Sequence, residues 1–216
     1  MICYKLTDEN CCTYGDEKNP NLTKWGEGVT HEIVTPNISQ PLCTEYWLHA
    51  FIDPRLAVIL NPIYSEFINP QLWEAEAEGY IKYDKQLQLC CTKLTTIRRM
   101  QLPKISDEKI VEFAIRCVLK TCHDEHFKNW AENWLNGNDR TETSARMTRI
   151  FYLGMEGLDC WMKKWITQAA EDYAAMYMTG ATRKATIAIE YAVYIKNKDI
   201  DLLSILDECG IIDKEN

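Results

Sequence analysis

Three glutamates, Glu74, Glu76 and Glu78, alternate with Trp73, Ala75 and Ala77 inside the stretch 72–83. A period of two is the pattern of a half-buried strand. It sets the three carboxylates on one strand face, about 7 Å between successive members. Such a row is a candidate for catalysis or for ligand binding, and His49 or His31 with Tyr64 are the side chains that could complete a His/Tyr/Glu set. The plainer alternative is a solvated strand face opposite a Trp/Ala core face. Both remain open at the level of sequence.

A second concentration of chemistry is Cys122-His123-Asp124-Glu125-His126. Two histidines three apart could share a helix face, but a zinc site needs three or four ligands and no second pair supplies them. The segment falls between two helical patterns and reads as a polar connector. Cys11-Cys12 and Cys90-Cys91 are adjacent pairs, whose side chains in a strand point to opposite faces, so neither is a chelating or redox CxxC. No GxxxxGK[ST], GxGxxG or GxSxG occurs, so phosphate-loop and hydrolase-elbow chemistry lack their fingerprint. Gly26-Glu27-Gly28 is a turn signal. No catalytic set, metal site or cofactor is expected.

The chain has 216 residues with a formal net charge of −8. Its basic residues cluster only as pairs (Arg98-Arg99, Lys163-Lys164, Arg183-Lys184), so no stripe displaces counterions and direct nucleic-acid binding is not expected. The start, MICYKLTDEN, lacks a basic segment followed by an apolar run, and no apolar run approaches a membrane span. The ten cysteines follow no framework, and several sit on apolar helical faces. Reduced, structural thiols in a cytoplasm are expected.

Proline divides the chain. All seven lie in the first 103 residues, and proline-free sequence favours continuous helix. The expected fold class is α+β: a small antiparallel sheet with one or two helices in a head over 1–104, then an all-helical bundle over 105–216, packed on the head as one unit. In the head, Ile2 to Leu6 reads as a strand, 7–21 as turn-rich, and 47–52 as strand-like. Asp53-Pro54 starts a short helix carrying Leu56, Ala57, Ile59 and Leu60, which Asn61-Pro62 ends. Segments 87–92 and 95–102 read as two further strands. In the tail, Ser106 caps a helix with a stripe from Ile110 to Cys122. Phe127, Trp130, Ala131, Trp134 and Leu135 mark a second helix, stopped at Asn136-Gly137. From 143 to 178 an apolar face runs through Ile150, Met155, Leu158, Trp161, Trp165, Ala169, Tyr173 and Tyr177, with Gly154 and Gly157 as a possible division and Gly180 as its end. Segments 187–195 and 201–209 close a bundle of five or so helices. Trp130/Trp134 and Trp161/Trp165 read as core pairs; an exposed pair would be an interface anchor.

The stretches YKLTDEN (4–10), TKWGEGVTHE (23–32), LCTEYWLHAFIDPRLAVILNPIYSEFINPQLWEAEAEG (42–79), CTKLTTIRRMQLP (91–103), EKIVEFAIRC (108–117) and NWAENWLNGNDR (129–140) resemble a group of uncharacterised bacteriophage and prophage proteins. The resemblance implies phage origin and a role in the host cell early in infection. The Glu-x-Glu pattern, with LHAFIDPRLAVIL (48–60) before it, also looks like the order of strand, helix and strand in ADP-ribosyltransferases. There one glutamate orients the nicotinamide ribose and another activates the acceptor. No arginine precedes Arg55 and no Ser-Thr-Ser lies between, so the arginine-targeting pattern is incomplete.

The function expected is a non-catalytic viral protein that binds a host protein or complex in the bacterial cytoplasm. Its setting would be inhibition of a defence system, in the manner of an anti-CRISPR or other anti-defence protein. The candidate binding residues are Glu74, Glu76, Glu78, His49, Asp124 and Glu125. An NAD- or nucleotide-binding protein built on the glutamate strand is the alternative, and an oligomeric structural accessory using the helical tail is the second.

Overall fold

The computed structural model describes residues 1–13, 23–42, 44–195 and 200–211. Most of the turn-rich stretch expected over 7–21, and Cys43, lie outside the described residues. Contacts divide the chain into two compact units, Met1–Lys104 and a second that begins at Ile105. The class is α+β: an antiparallel sheet with one helix in the first unit, and helices alone among the described residues of the second.

The first unit is built on a long hairpin of β6 (Gln71–Asp84) and β7 (Gln88–Met100), turned at 85–87. β1 (Ile2–Thr7) pairs with the outer edge of β6. β4 (Thr30–Glu32) and β5 (Leu48–Ala50) pair with different stretches of the outer edge of β7. All pairings are antiparallel. Phe51, just past β5, exchanges two backbone hydrogen bonds of 2.8 Å with Tyr4 of β1. The path β1–β6–β7–β5 therefore closes on itself. The ring encloses Cys3, Ala50, Ala75, Ala77, Leu89, Cys91 and Leu94 with Trp25, all buried. A two-stranded ribbon, β2 (Cys12–Thr13) with β3 (Thr23–Lys24), stands apart from this sheet.

The strand expected from the glutamate alternation is β6, with Trp73, Ala75 and Ala77 inward. The two strands expected over 87–92 and 95–102 are one strand, β7. Its pairing with β6 runs from Gln88 to Met100 through two register shifts and carries the strand across 93–94, which separated the two runs. Helix α1 (Pro54–Tyr64) starts as expected, with the Asp53 carboxylate accepting from the Arg55 N–H. It does not end at Asn61-Pro62 but continues to Tyr64 with Pro62 inside. Asn61 is the reason. Its carbonyl accepts from the N–H groups of Ser65 and Glu66, and its side-chain amide exchanges two hydrogen bonds of 3.1 Å with the backbone of Phe67. These bonds carry the last turn past the proline, which itself brings no N–H.

The second unit contains α2 (Asp107–Thr121), α3 (Glu125–Leu135), α4 (Glu142–Leu153), α5 (Leu158–Ala174), α6 (Met178–Ile195) and α7 (Leu202–Glu208). Helix α2 is central. It touches α3, α5, α6 and α7, and Ile110, Val111, Phe113, Ala114, Ile115, Cys117 and Val118 are all buried. Ser106, Asp124, Thr141 and Asp201 each cap a helix by accepting a backbone N–H. Ala181, Ala185, Ala188 and Ala192 form a buried stripe on α6, small enough for close approach of its neighbours α2 and α5.

Two expectations for this unit are corrected. The 143–178 segment is divided at 154–157, the division that Gly154 and Gly157 offered. The face drawn along it is not one buried face, since Ile150, Met155, Leu158, Trp161 and Tyr177 are exposed. The burial instead follows Ala145, Thr148 and Tyr152 on α4 and Met162, Ile166, Ala169 and Ala170 on α5. Gly180 lies inside α6 rather than ending a helix, and 187–195 is the second half of that same helix. The chain breaks earlier, where Met176 takes a φ of 64°. A side chain at Gly180 would run into the Tyr177 ring and Asp172, so glycine permits the close turn. No helix among the described residues is long and apolar enough to cross a membrane.

Gly79 marks the second register shift between β6 and β7. Its φ is +74°, and a Cβ there would collide with the Thr92 hydroxyl, which accepts the Tyr80 N–H at 3.0 Å. Gly79→Ala is expected to cost about 1–3 kcal/mol of stability, measured by urea unfolding. A midpoint equal to that of the unmodified chain would refute this account of the bulge.

Candidate functional site

Each of the three β6 glutamates meets a cation. Glu74 pairs with Arg98 across the β6–β7 ladder at 2.6 Å, and Glu78 with Lys93 at 2.8 Å. Glu76 lies 3.7 Å from the terminal ammonium of Met1, which also donates to the Ala77 carbonyl at 3.0 Å. Side-chain exposure is 21% for Glu74, 52% for Glu76 and 46% for Glu78. The strand face is thus a half-solvated row of ion pairs, each of small energetic weight at a surface. Further along β6, Tyr80 and Tyr83 are exposed; Tyr83, opposite Leu89, lies on the other side of the strand from the glutamates, its hydroxyl 3.1 Å from the Met1 Sδ, and Met1 and Ile2 are exposed at the start of β1.

The histidines are engaged elsewhere. His49 sits on β5 opposite Cys90, and its Nε2 lies 2.7 Å from the Leu42 carbonyl. Burial lowers its pKa, partly offset by that carbonyl and reinforced by nearby Lys5. His31, on β4 opposite Leu94, has Nε2 2.8 Å from the Lys24 carbonyl and its ring edge-on to Trp25 at 4.6 Å. Glu76 is opposite Thr95 and Ile2. Both rings are thus engaged with backbone carbonyls and not with a β6 carboxylate.

Asp124 and Glu125 have different fates. Glu125 is an exposed residue in an i,i+3 pair with Lys128 at 2.8 Å. Asp124 is a hub. Its Oδ1 accepts from the Phe127 N–H at 2.8 Å and from the Tyr152 hydroxyl at 2.7 Å, and its Oδ2 from the Lys163 ammonium at 3.2 Å. Lys163 also lies 4.6 Å from the centre of the Tyr152 ring, and His126 stacks on Phe151 at 4.2 Å. One carboxylate therefore ties together α3, α4 and α5. Partial burial pushes its pKa up, but the three donors outweigh this and hold it at about 2. Burial and then Asp124 raise the Tyr152 phenol well above its ordinary value. Among the described residues, no group of three or more His, Cys, Asp or Glu could hold a metal ion. The nine described cysteines are free thiols.

Lys5 escaped the sequence analysis. It faces the ring interior with Cys3 and Trp73, its Nζ donating to the His49 carbonyl at 2.7 Å and lying 5.1 Å from the Trp25 ring centre. Burial lowers its ammonium to about 8, with Cys91, Cys3 and Cys90 opposing. The alternation in Ile2-Cys3-Tyr4-Lys5-Leu6 gives no warning, because Leu6 on the opposite face is buried as well. The hub partners Tyr152 and Lys163 were missed for a similar reason. They are 28 and 39 residues from Asp124 in sequence.

No protein-family model, curated protein or solved structure matches the chain.

Two outcomes follow for stability. Asp124→Ala removes a cap and strands the Tyr152 hydroxyl and the buried Lys163 ammonium, and is expected to cost about 3–5 kcal/mol. Because the folded pKa lies below the unfolded value, Asp124's contribution is complete above pH 4 and lost as pH falls from about 4 to about 2. A urea midpoint that falls equally for the variant and the unmodified chain across that window would exclude the hub. For Lys5 the unfolded chain binds more protons between pH 8 and about 10.5, so its burial penalty is largest below pH 8 and disappears as pH rises through that range. Lys5→Met is expected to stabilise by about 1–3 kcal/mol at pH 7, and by less with each step towards pH 10.5. The difference between variant and unmodified chain isolates Lys5 from the thiols Cys3 and Cys91. Burial pushes those to about 12 and about 11, so they lose stability over overlapping pH values. A pH-independent difference would contradict the assignment.

Proposed function

We propose that this chain is a non-catalytic, phage-encoded protein that binds a protein of the bacterial host, with inhibition of a defence system as its setting. The observation that carries this is the exposed acidic row of β6, with two exposed tyrosines further along the same strand. Glu76 and Glu78 are about half exposed, and Tyr80 and Tyr83 are 56% and 50% exposed on the same strand. Tyrosine contributes large contact area and a hydroxyl at interface hot spots. Carboxylates held by single surface cations exchange partners at little cost, and a net charge of −8 favours approach to a basic surface. A nucleic-acid-binding host protein, whose basic groove would accept the carboxylates, is the partner class of best fit. The resemblance of 4–140 to phage and prophage proteins supplies the biological setting.

The test is capture from bacterial lysate with the full chain, beside Glu76→Lys/Glu78→Lys and Tyr80→Ala/Tyr83→Ala. One dominant protein is expected, held at low salt and released as ionic strength rises. Both variants should weaken its binding by at least about tenfold. Equal capture by the charge-reversed chain would remove the β6 face from the interaction.

A further inference from the structure

We propose that the exposed apolar face of the α4–α5 hairpin is covered by a second copy of this chain, in a two-fold dimer. Helix α4 has two apolar faces. Ala145, Thr148 and Tyr152 are buried in the bundle. Met147, Ile150 and Phe151, at i, i+3 and i+4, are 61%, 47% and 47% exposed. A helix apolar on both sides is ordinarily covered on both.

The exposed stripe does not stop with the helix. It continues through Leu153 and Met155 to Leu158 and Trp161 at the start of α5, all exposed. Lys164 joins the two ends, its Nζ donating to the Met155 carbonyl at 3.0 Å and lying 4.8 Å from the Trp161 ring centre. At ordinary residue areas these seven exposures amount to roughly 700 Å², above the largest patch of a typical monomer and close to the ~800 Å² that each partner contributes to a stable interface.

Charge and shape favour a second copy as the occupant. The chain carries −8 and repels itself over most of its surface. On this face the charges cancel locally. Arg146 is held by Glu142 and Glu171 and Arg149 by Glu171, and the turn between the helices adds the exposed acids Glu156 and Asp159 to the cation Lys164. Balanced charge of both signs on one patch is what a self-complementary contact requires. Trp161 is half exposed at the start of α5, and Gly154 and Gly157 present bare backbone, free of neighbouring atoms, on the turn before it. In a two-fold contact the indole of each copy can seat on the glycine turn of the other.

The experiment is sedimentation of the full chain at low and high concentration, beside Ile150→Glu, Trp161→Glu and, as a control on the first unit, Tyr80→Glu. A mass twice the 25.2 kDa of one chain is expected at high concentration for the unmodified protein and the control. Either α4–α5 variant should raise the dimer dissociation constant by at least about 100-fold. A monomer at every concentration overturns the proposal, as does a dimer untouched by both α4–α5 variants or lost only in the control. Amide exchange of the unmodified chain keeps the test decisive if a variant fails to fold. Protection over 147–161 must rise with concentration, and its failure to rise overturns the proposal as well.

Discussion

A ribbon of 14 and 13 residues, such as β6 with β7, cannot stay flat. Strand twist accumulates along it, and the register shifts after Glu74 and after Glu78 concentrate the bending. The rest of the first unit depends on that curvature. It brings β1, on the outer edge of β6, to the end of β5, on the outer edge of β7, where Tyr4 and Phe51 close the ring. Closure removes two open edges. It also sets the interior, where Trp25 packs with the small Cys3, Ala50, Ala75, Ala77 and Cys91 and with Leu89 and Leu94.

A narrow interior explains the unusual position of Lys5. Its stem fills a lane between Trp25 and Trp73, and its ammonium reaches the His49 carbonyl at the end of that lane. The cost of burying a charge is met in part by one hydrogen bond and one ring face, and burial still lowers the ammonium's pKa. In the second unit Asp124 works the other way. Enough donors converge on it that ionisation is favoured despite partial burial. Both groups have the chemical character of active-site residues, yet both are consumed by internal contacts.

Much of the local structure was legible. Alternation at Trp73–Glu78 marked β6, the Asp53-Pro54 start of α1 was marked by capping chemistry, and the i, i+3, i+4 spacing at Phe127–Trp134 marked α3. Failures came where one element's fate depended on another. Pro62 suggested a stop that Asn61 overrides by clipping the Phe67 backbone. The apolar positions from Ile150 to Tyr177 suggested one buried stripe, but the turn at 154–157 reverses the chain and leaves several of them outside.

Among the candidate site residues, the sequence determined the chemistry available and the strand face of Glu74, Glu76 and Glu78, because a two-residue period is a local property of extended backbone. It also set the net charge of −8. Tertiary structure alone decided what each group meets: Arg98 and Lys93 opposite two glutamates, a backbone carbonyl for His49, and three donors from three helices around Asp124. Those contacts join residues tens of positions apart, and neither propensity nor periodicity carries information at that range. Burial therefore separates the half-solvated acids of β6 from the inward-facing Lys5, and the exposed Trp161 from the buried Trp134.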